Sequence, residues 1–250
     1  MRIKVWYIGV ATILIEIGSI KIITDPNLDK PGNLYHHGFL AFSKKNSIPR
    51  FEDQLKHIDL ALISHAHHKD NLDRTGLKLL NNVNQIITTY HSSIKLKRGI
   101  GLDPGESFIY KKRKNELEII AIEAQHGVFP VHYFAGPVIG FIIRKTNSNN
   151  LIYISGDTIY KSEIAKQVND LGDTKLFIPH LGKAQFKYLS GNLRYTMNET
   201  DLKHFITDLS PERIFPVHNE GWTHFNKVQN PVDDDFKNRL IKKNEFETDI

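Results

Sequence analysis

The stretch ISHAHHKDNLD, residues 63–73, sets three histidines, two aspartates and an asparagine directly behind a short apolar run. Residues 58–64, IDLALIS, read as a buried strand, because apolar and β-branched side chains fill a segment of strand length. Residues 72–80 read as a short helix, so the polar cluster occupies the connection between the two. If strand geometry persists, His65 and His67 share one face and His68 points away. If the loop coils into a helical turn, His65 and His68, three apart, share a face instead. Both registers remain open at this level, with Asp70 close behind in either.

The same arrangement recurs along the chain. His126 follows LEIIAIEAQ, Asp157 follows LIYISG, and His218 follows RIFPV, each just past the C-terminal end of an expected strand. In layered α/β structures such ends converge, and sites are built on the loops there. Singly, His126 before Gly127 is an ordinary turn residue and Asp157 an ordinary cap. Together with His65 and Asp70 they form a metal-site pattern. Neutral imidazoles and carboxylates suit Zn²⁺, and also Fe²⁺ or Mn²⁺, whereas Ca²⁺ and Mg²⁺ favour all-oxygen shells. His180, in FIPHLG, follows another expected strand and reads either as a pocket residue or as a core histidine. His36, His37 and His132 fall in expected loops, where exposure to solvent is the expectation.

Around these residues, β-branched runs at 5–8, 13–17 and 20–24, broken by Gly9 and Gly18, read as consecutive strands or hairpins. Residues 27–50, with Pro31, Gly32, Gly38 and Pro49, read as a long irregular loop, and such loops in compact domains are usually functional. Further strands are expected at 85–90, 107–110, 117–124, 138–144, 151–155, 176–179 and 213–217. Helices are expected at 162–171, with Ser162 as N-cap, and at 199–209. Two β-rich blocks, each followed by strand–helix alternation, predict sheets packed face to face with helices outside. No repeat, low-complexity tract or Pro/Gly-rich linker divides residues 1–250, so one domain is expected.

With 250 residues the chain can build a large core. Its 40% hydrophobic and 24% charged residues are those of an ordinary globular protein and argue against disorder. No apolar run approaches the roughly twenty residues of a membrane span. Glu16 and the strand-like continuation after it argue against a signal peptide, so cytoplasm is the expected location. Cysteine is absent, which excludes disulfides and leaves His, Asp, Glu or water to bind any metal. The net charge of +5 and a pI near 9.1 permit an acidic partner without requiring one. The densest basic run, Lys111-Lys112-Arg113-Lys114, reads as a solvated hairpin turn, with no interleaved aromatic residues to stack bases.

In this order and over most of the chain, YIGVATILIEIGSIKIITDP, ISHAHHKDNLD, AQHG, GPVIGF, YISGDT and FPVHNEGWTHF resemble the metallo-β-lactamase fold hydrolases, closest to the ascorbate-6-phosphate lactonase-like branch. The resemblance implies an α/β fold of αββα type: a four-layer sandwich of two mixed β-sheets face to face, helices outside, and a metal site at one sheet edge. The family pattern is H-x-H-x-D-H, then a later His, a bridging Asp and a final His. It implies His65, His67 and His126 at a first metal, Asp70 and His218 at a second, Asp157 between them, and Asp73 as a supporting acid. This chain departs from the pattern twice: an extra residue gives H-A-H-H-K-D-N, and Asn71 takes the slot of the last histidine. A subgroup with an H-x-x-H-x-D-N-L-D run and a VH-x-EGW ending shares both features, which leaves His67 and His68 as competing ligands. An amide oxygen is a weaker, harder donor than imidazole. Asn71 is therefore expected to leave one metal tightly bound and the second weak, absent or not zinc.

The function expected is metal-dependent hydrolysis of an ester, lactone, amide or phosphoester bond in a small molecule. One or two Zn²⁺ ions, with Mn²⁺ or Fe²⁺ as alternatives, would activate a water that Asp70 orients as the catalytic residue. Substrate choice is expected in residues 27–50 and 127–136, with Tyr35, His36 and His132 as polar contacts. One alternative is a phosphodiesterase or nuclease acting on nucleic acid or a phospholipid, which the basic pI favours slightly, although no RNA-binding appendage is seen. The other is a non-catalytic, metal-poor binding protein, which the retention of His65, Asp70, His126, Asp157 and His218 opposes. The oligomeric state is not legible in the sequence.

Overall fold

The computed structural model describes residues 2–37, 41–226, 234–242 and 244–249. The chain begins as an antiparallel meander of β1 (Arg2–Gly9), β2 (Thr12–Ile17) and β3 (Ile20–Thr24), formed by the β-branched runs. Gly18 turns the second pair at a φ of +59°, a conformation that costs glycine little. The 27–50 segment is more regular than expected. It holds a small antiparallel pair, β4 (Leu34–His36) and β5 (Phe42–Lys44), and residues 38–40 of it lie outside the described residues. Next come β6 (Leu60–Ile63), α1 (Arg74–Leu80), β7 (Gln85–Thr89), α2 (Tyr90–Leu96) and β8 (Ile100–Leu102), whose strands add in parallel beside β3.

The second block contains β9 (Ser107–Lys112), β10 (Asn115–Glu123), the one-turn α3 (His132–Ala135), β11 (Ile139–Lys145) and β12 (Asn150–Ile154). It continues with α4 (Ser162–Leu171), β13 (Asp173–Ile178), the one-turn α5 (Lys187–Ser190), α6 (Glu199–Leu209) and β14 (Arg213–Ile214). Finally β15 (Glu245–Asp249) returns to pair antiparallel with β1. One sheet therefore runs β15-β1-β2-β3-β6-β7-β8 and the other β14-β13-β12-β11-β10-β9.

Side-chain alternation along each strand explains the layering. From the first sheet Val5, Tyr7, Ile13, Ile15 and Leu62 face Ile119, Phe141, Ile152 and Leu176 of the second, in one buried core between the sheets. The residues between them point outward: Trp6, Leu14 and Ile63 pack with Leu72 and Leu80 at α1. On the far side Ile120, Tyr153 and Phe177 meet Ile164 and Val168 of α4 and Leu202 and Phe205 of α6. Each such apolar side chain contributes about 1.5–3 kcal/mol when fully buried. Both faces of both sheets are thus covered, which is the αββα sandwich. Among the described residues, no helix is long and apolar enough to cross a membrane.

Some local expectations need correction. Residue 90 begins α2 instead of ending a strand, because the Thr89 side chain caps it by accepting from Ser92 N at 3.0 Å. Ser162 is the first residue of α4, and Lys161 stands at the N-cap without a side-chain cap. The basic run does form a hairpin turn, closed by the Lys112–Asn115 pair, with Arg113 at a φ of +55°.

The topology decides where the site falls. Strand β10 is antiparallel to β11, and β11 to β12, while β12, β13 and β14 are mutually parallel. The C-terminal ends of β10, β12, β13 and β14 therefore open at one edge of the second sheet. The end of β6 is stitched to the same edge by Ile139 N, which donates to Ser64 O at 3.2 Å.

Candidate metal centre

His65, His126, Asp157, His180 and His218 all lie on the chain just beyond those strand ends, and all are buried. The first histidine loop follows the coiled register locally. Leu72 N donates to His68 O at 3.1 Å, so the chain is already coiling toward α1 at His68. His65, His68 and His126 consequently present ligand atoms within 4.8 Å of one another. His68 Nε2 lies 3.2 Å from Ala135 O, and His67 is turned further toward that oxygen, to which its Nε2–H donates at 2.5 Å. Its ring centroid is 6.5 Å from that of His126, against 5.2 Å for His68. Gly136 makes this pose possible, since a Cβ at residue 136 would stand 2.7 Å from His67 Nε2. Hydrogen bonds behind the ring set two of the three imidazoles. Ser64 Oγ lies 3.0 Å from His65 Nδ1, and Tyr195 O lies 2.9 Å from His126 Nδ1. Tautomers that donate from Nδ1 leave both Nε2 atoms free.

Asp157 stands between two groups of histidines. Its Oδ2 is 3.8 Å from both His65 Nε2 and His126 Nε2. Its Oδ1 accepts from His180 Nδ1 at 2.9 Å and lies 3.2 Å from His218 Nδ1. Asp157, His180 and His218 form a second set whose ligand atoms fall within 4.8 Å of one another. His180, which the sequence left between pocket and core, is therefore part of the site.

Asp70 lies on the hairpin side of the same centre. Its Oδ2 accepts from His224 Nε2 at 3.0 Å and is 3.4 Å from His218 Nε2. Its Oδ1 is 3.8 Å from His37 Nδ1, and His37, His68 and Asp70 form a third such set. His37 is a correction to the expectation of exposure: its side chain is 0% exposed, whereas His36 is exposed and His132 half-buried. Strand alternation in β4 was the available signal, since Tyr35 and His37 share a face opposite His36. His224 was missed as well, because it follows His218 by six residues with no strand to place it. Asn71 is fully buried with Nδ2 3.5 Å from Ser64 Oγ, behind His65. Asp73 works at the start of α1, where it accepts from Gly76 N at 2.8 Å, Asp29 N at 2.6 Å and the buried Lys45 Nζ at 3.4 Å.

Burial and charge sort the protonation states. Burial pushes His37 and His67 down to about 4 and His68 to about 3, and holds His65 well below the usual imidazole value. His180 is lowered for the same reason, although Asp157 opposes the shift. Burial would lower His218 too, but the Asp157 and Asp70 carboxylates outweigh it and raise His218. Burial would raise both carboxyls, yet the surrounding imidazoles keep Asp70 and Asp157 well below the ordinary carboxylate range. The result is a cluster of mostly neutral imidazoles around two ionised carboxylates, the protonation state that metal ligands require.

The donors are also incompletely used. Among the described residues, His65 Nε2, His67 Nδ1, His180 Nε2, both nitrogens of His218, His224 Nδ1, His37 Nδ1, Asp70 Oδ1 and Asn71 Oδ1 are buried without a hydrogen-bond partner. Buried polar atoms are nearly always paired, so this concentration of unpartnered atoms in one centre fits divalent cations better than an ordinary polar core.

Residues 4–218 match the family model described as the beta-lactamase superfamily domain. The chain therefore belongs to the beta-lactamase superfamily, and its sandwich is the metallo-β-lactamase fold. A possible metal-dependent hydrolase from Veillonella parvula is similar in structure, with a TM-score of 0.76 at 18% identity over 97% of this chain and 98% of that one. An isothiocyanate hydrolase from Delia radicum gut bacteria gives 0.75 at 16% identity, over 99% and 98%. Igni18, a metallo hydrolase from the archaeon Ignicoccus hospitalis, gives 0.70 at 20% identity over the full length of both chains. At these identities the likeness is one of fold. Comparison with curated proteins returns no match.

Proposed function

We propose that the chain is a single-domain, metal-dependent hydrolase of small molecules carrying an ester, lactone, amide or phosphoester bond. The observation that carries this reading is Asp157, buried with one oxygen toward His65 and His126 and the other toward His180 and His218. His65, His68 and His126 would hold one divalent ion, with Asp157 and His218 offering donors to a neighbouring one. Zinc is the expected ion for a three-imidazole set, with Mn²⁺ or Fe²⁺ as alternatives. Such ions polarise a scissile bond and make water acidic enough to attack at neutral pH.

The chain's own groups then have distinct tasks. Asp70, ionised and held at Oδ2 by His224, orients the attacking water and takes up its proton at Oδ1. His180 donates to Asp157 and fixes that carboxylate's direction. Ser64 and Tyr195 O aim the rings of His65 and His126. A cavity of about 370 Å³, lined in part by His91, Gln125, His126, His132 and Gly136, opens beside the first set. That volume suits a small ligand.

Two features support a small molecule over nucleic acid. The basic run lies at the start of β10, whose nine residues span about 30 Å before the chain reaches His126. Lys111 and Lys112 in it are also paired, with Glu116 at 2.8 Å and Asp59 at 2.7 Å. The test is a panel of lactones, esters, amides, phosphodiesters and an isothiocyanate, assayed before and after removal of metal by a chelator. Lactones head the panel because of the motif-level resemblance to the lactonase-like branch. Hydrolysis that survives chelation and the Asp157→Ala change would sink the proposal.

A further inference from the structure

The slot in which the family pattern has a last histidine holds Asn71, whose Nδ2 is directed at Ser64 Oγ behind His65 while its Oδ1 is buried without a hydrogen-bond partner. An amide oxygen is a weaker donor than imidazole, and His218 Nε2 stands on the Oδ2 side of Asp70 at 3.4 Å, so a nitrogen on the Oδ1 side would complete a shared cation site. The structure offers one from a segment more than thirty residues upstream. His37 Nε2 lies 2.6 Å from the buried Ser43 Oγ, on the paired strand of the β4–β5 hairpin. Its Nδ1 is buried, has no hydrogen-bond partner, and faces Asp70 Oδ1 at 3.8 Å. Asp70 Oδ1 is equally unpartnered, whereas Asp70 Oδ2 is taken by His224. A separation of 3.8 Å is too long for a hydrogen bond, yet short enough for two donors to share one ion about 2 Å from each. Each side chain thus has one atom fixed from outside and the other left open toward the same point, which is how outer partners orient metal ligands.

We propose that His37 supplies the ligand that position 71 lacks. His37 Nδ1 and Asp70 Oδ1, with His68 within reach, form a divalent-cation site on the hairpin side of the centre. The proposal rests on the metal-hydrolase reading. His224 and Ser43 are positioning residues in it. With this cation bound, Asp70 Oδ1 is its ligand and only orients the water; Oδ1 takes up the proton when the cation site is empty.

The experiment is a titration of chelator-stripped protein with Zn²⁺ and with Co²⁺, followed by calorimetry, elemental analysis and the Co²⁺ absorption spectrum. Wild-type protein takes up two ions in two steps. His37→Ala retains the tighter ion and weakens the other by more than about 100-fold, while Ser43→Ala weakens it by about 10–100-fold. His65→Ala affects the other ion instead. His37→Gln and a circular-dichroism melt of every variant separate lost ligation from lost folding. Two ions bound with unchanged affinity by His37→Ala and His37→Gln would overturn the inference. So would a second ion that depends on Asn71, shown by its loss in Asn71→Ala alone. If wild type takes one ion that His37→Ala leaves intact, this inference fails and the hydrolase reading stands. If wild type takes none, both fail.

Discussion

His224 Nε2 donates to Asp70 Oδ2 at 3.0 Å, so an imidazole 154 positions downstream holds the carboxylate of the first histidine loop. The ring is itself held in place, stacked on Phe186 at a centroid distance of 4.7 Å and an interplanar angle of 12°. Replacing it with phenylalanine preserves the stack and removes the hydrogen bond. His224→Phe is expected to keep the fold and lose about 10–100-fold in activity or metal affinity, the usual cost of an outer partner. Steady-state kinetics alongside metal titration will show it, and wild-type values in both would contradict the role.

Asp70→Asn tests the proton acceptor itself. An amide of the same shape cannot take up a proton, so kcat should fall by about 10²–10⁴-fold with little change in thermal stability. A pH–rate profile adds a second readout, because the acidic limb belonging to an ionised carboxylate should disappear.

The two neighbouring histidines should behave differently. His68→Ala removes a nitrogen from the cluster shared with His65 and His126, and its metal affinity should drop by more than about 100-fold. His67→Ala removes a hydrogen bond to Ala135 O and should cost about 10-fold or less. Equal losses, or the reverse order, in competition with a chromophoric chelator would show the other register to be right.

Metal-free protein should be acid-labile. An unfolded-chain imidazole titrates near 6.5, whereas burial holds His37 and His67 near 4 and His68 near 3 in the folded chain. Between those values the unfolded state binds protons that the folded state refuses. Their contribution is complete above about pH 6.5 and is lost as pH falls toward 4, by at most about 4 kcal/mol per pH unit from the three together. His218, raised by its carboxylates, acts in the opposite sense and loses its contribution as pH rises. Urea unfolding of stripped protein at pH 7, 6 and 5 is the measurement, and flat stability across that range would contradict the assignment.

The buried pair behind the hairpin should matter to stability more than to chemistry. Lys45 and Asp73 have fully buried side chains 3.4 Å apart, and Asp73 also caps α1. Asp73→Ala leaves the Lys45 charge without a carboxylate, held only by Asn27 O at 2.8 Å, and removes the cap, for an expected loss of about 3–5 kcal/mol in denaturant unfolding. Losing less than about 1 kcal/mol would mean that Asn27 O and water suffice for the lysine.

Much of this was legible before the structure, for identifiable reasons. Alternating isoleucines marked β2, β3 and β10, and the periods of α4 and α6 gave their limits. Candidate ligand residues just past strand ends could be picked out because topology alone brings such ends together. Favouring His68 over His67 as the candidate needed the local coil that Leu72 N sets up with His68 O. Finding His37 and His224 needed tertiary approach, since neither follows a long strand. The terminal strand β15, FET amid acids, carries too little apolar pattern to announce itself, and α2 depends on a cap more than on an apolar face.

The hairpin that carries His37 and the segment that carries His224 share a short ladder. Lys45 bridges to Trp222, Asn46 N donates to Gly221 O at 2.7 Å, and Thr223 N donates to Lys44 O at 3.0 Å. Two stretches about 180 positions apart are therefore coupled as one structural unit. An insertion in one would shift the register of the other, so the two should covary among relatives. A chimera that borrows a substrate loop from another member of the superfamily would have to take both pieces from the same donor.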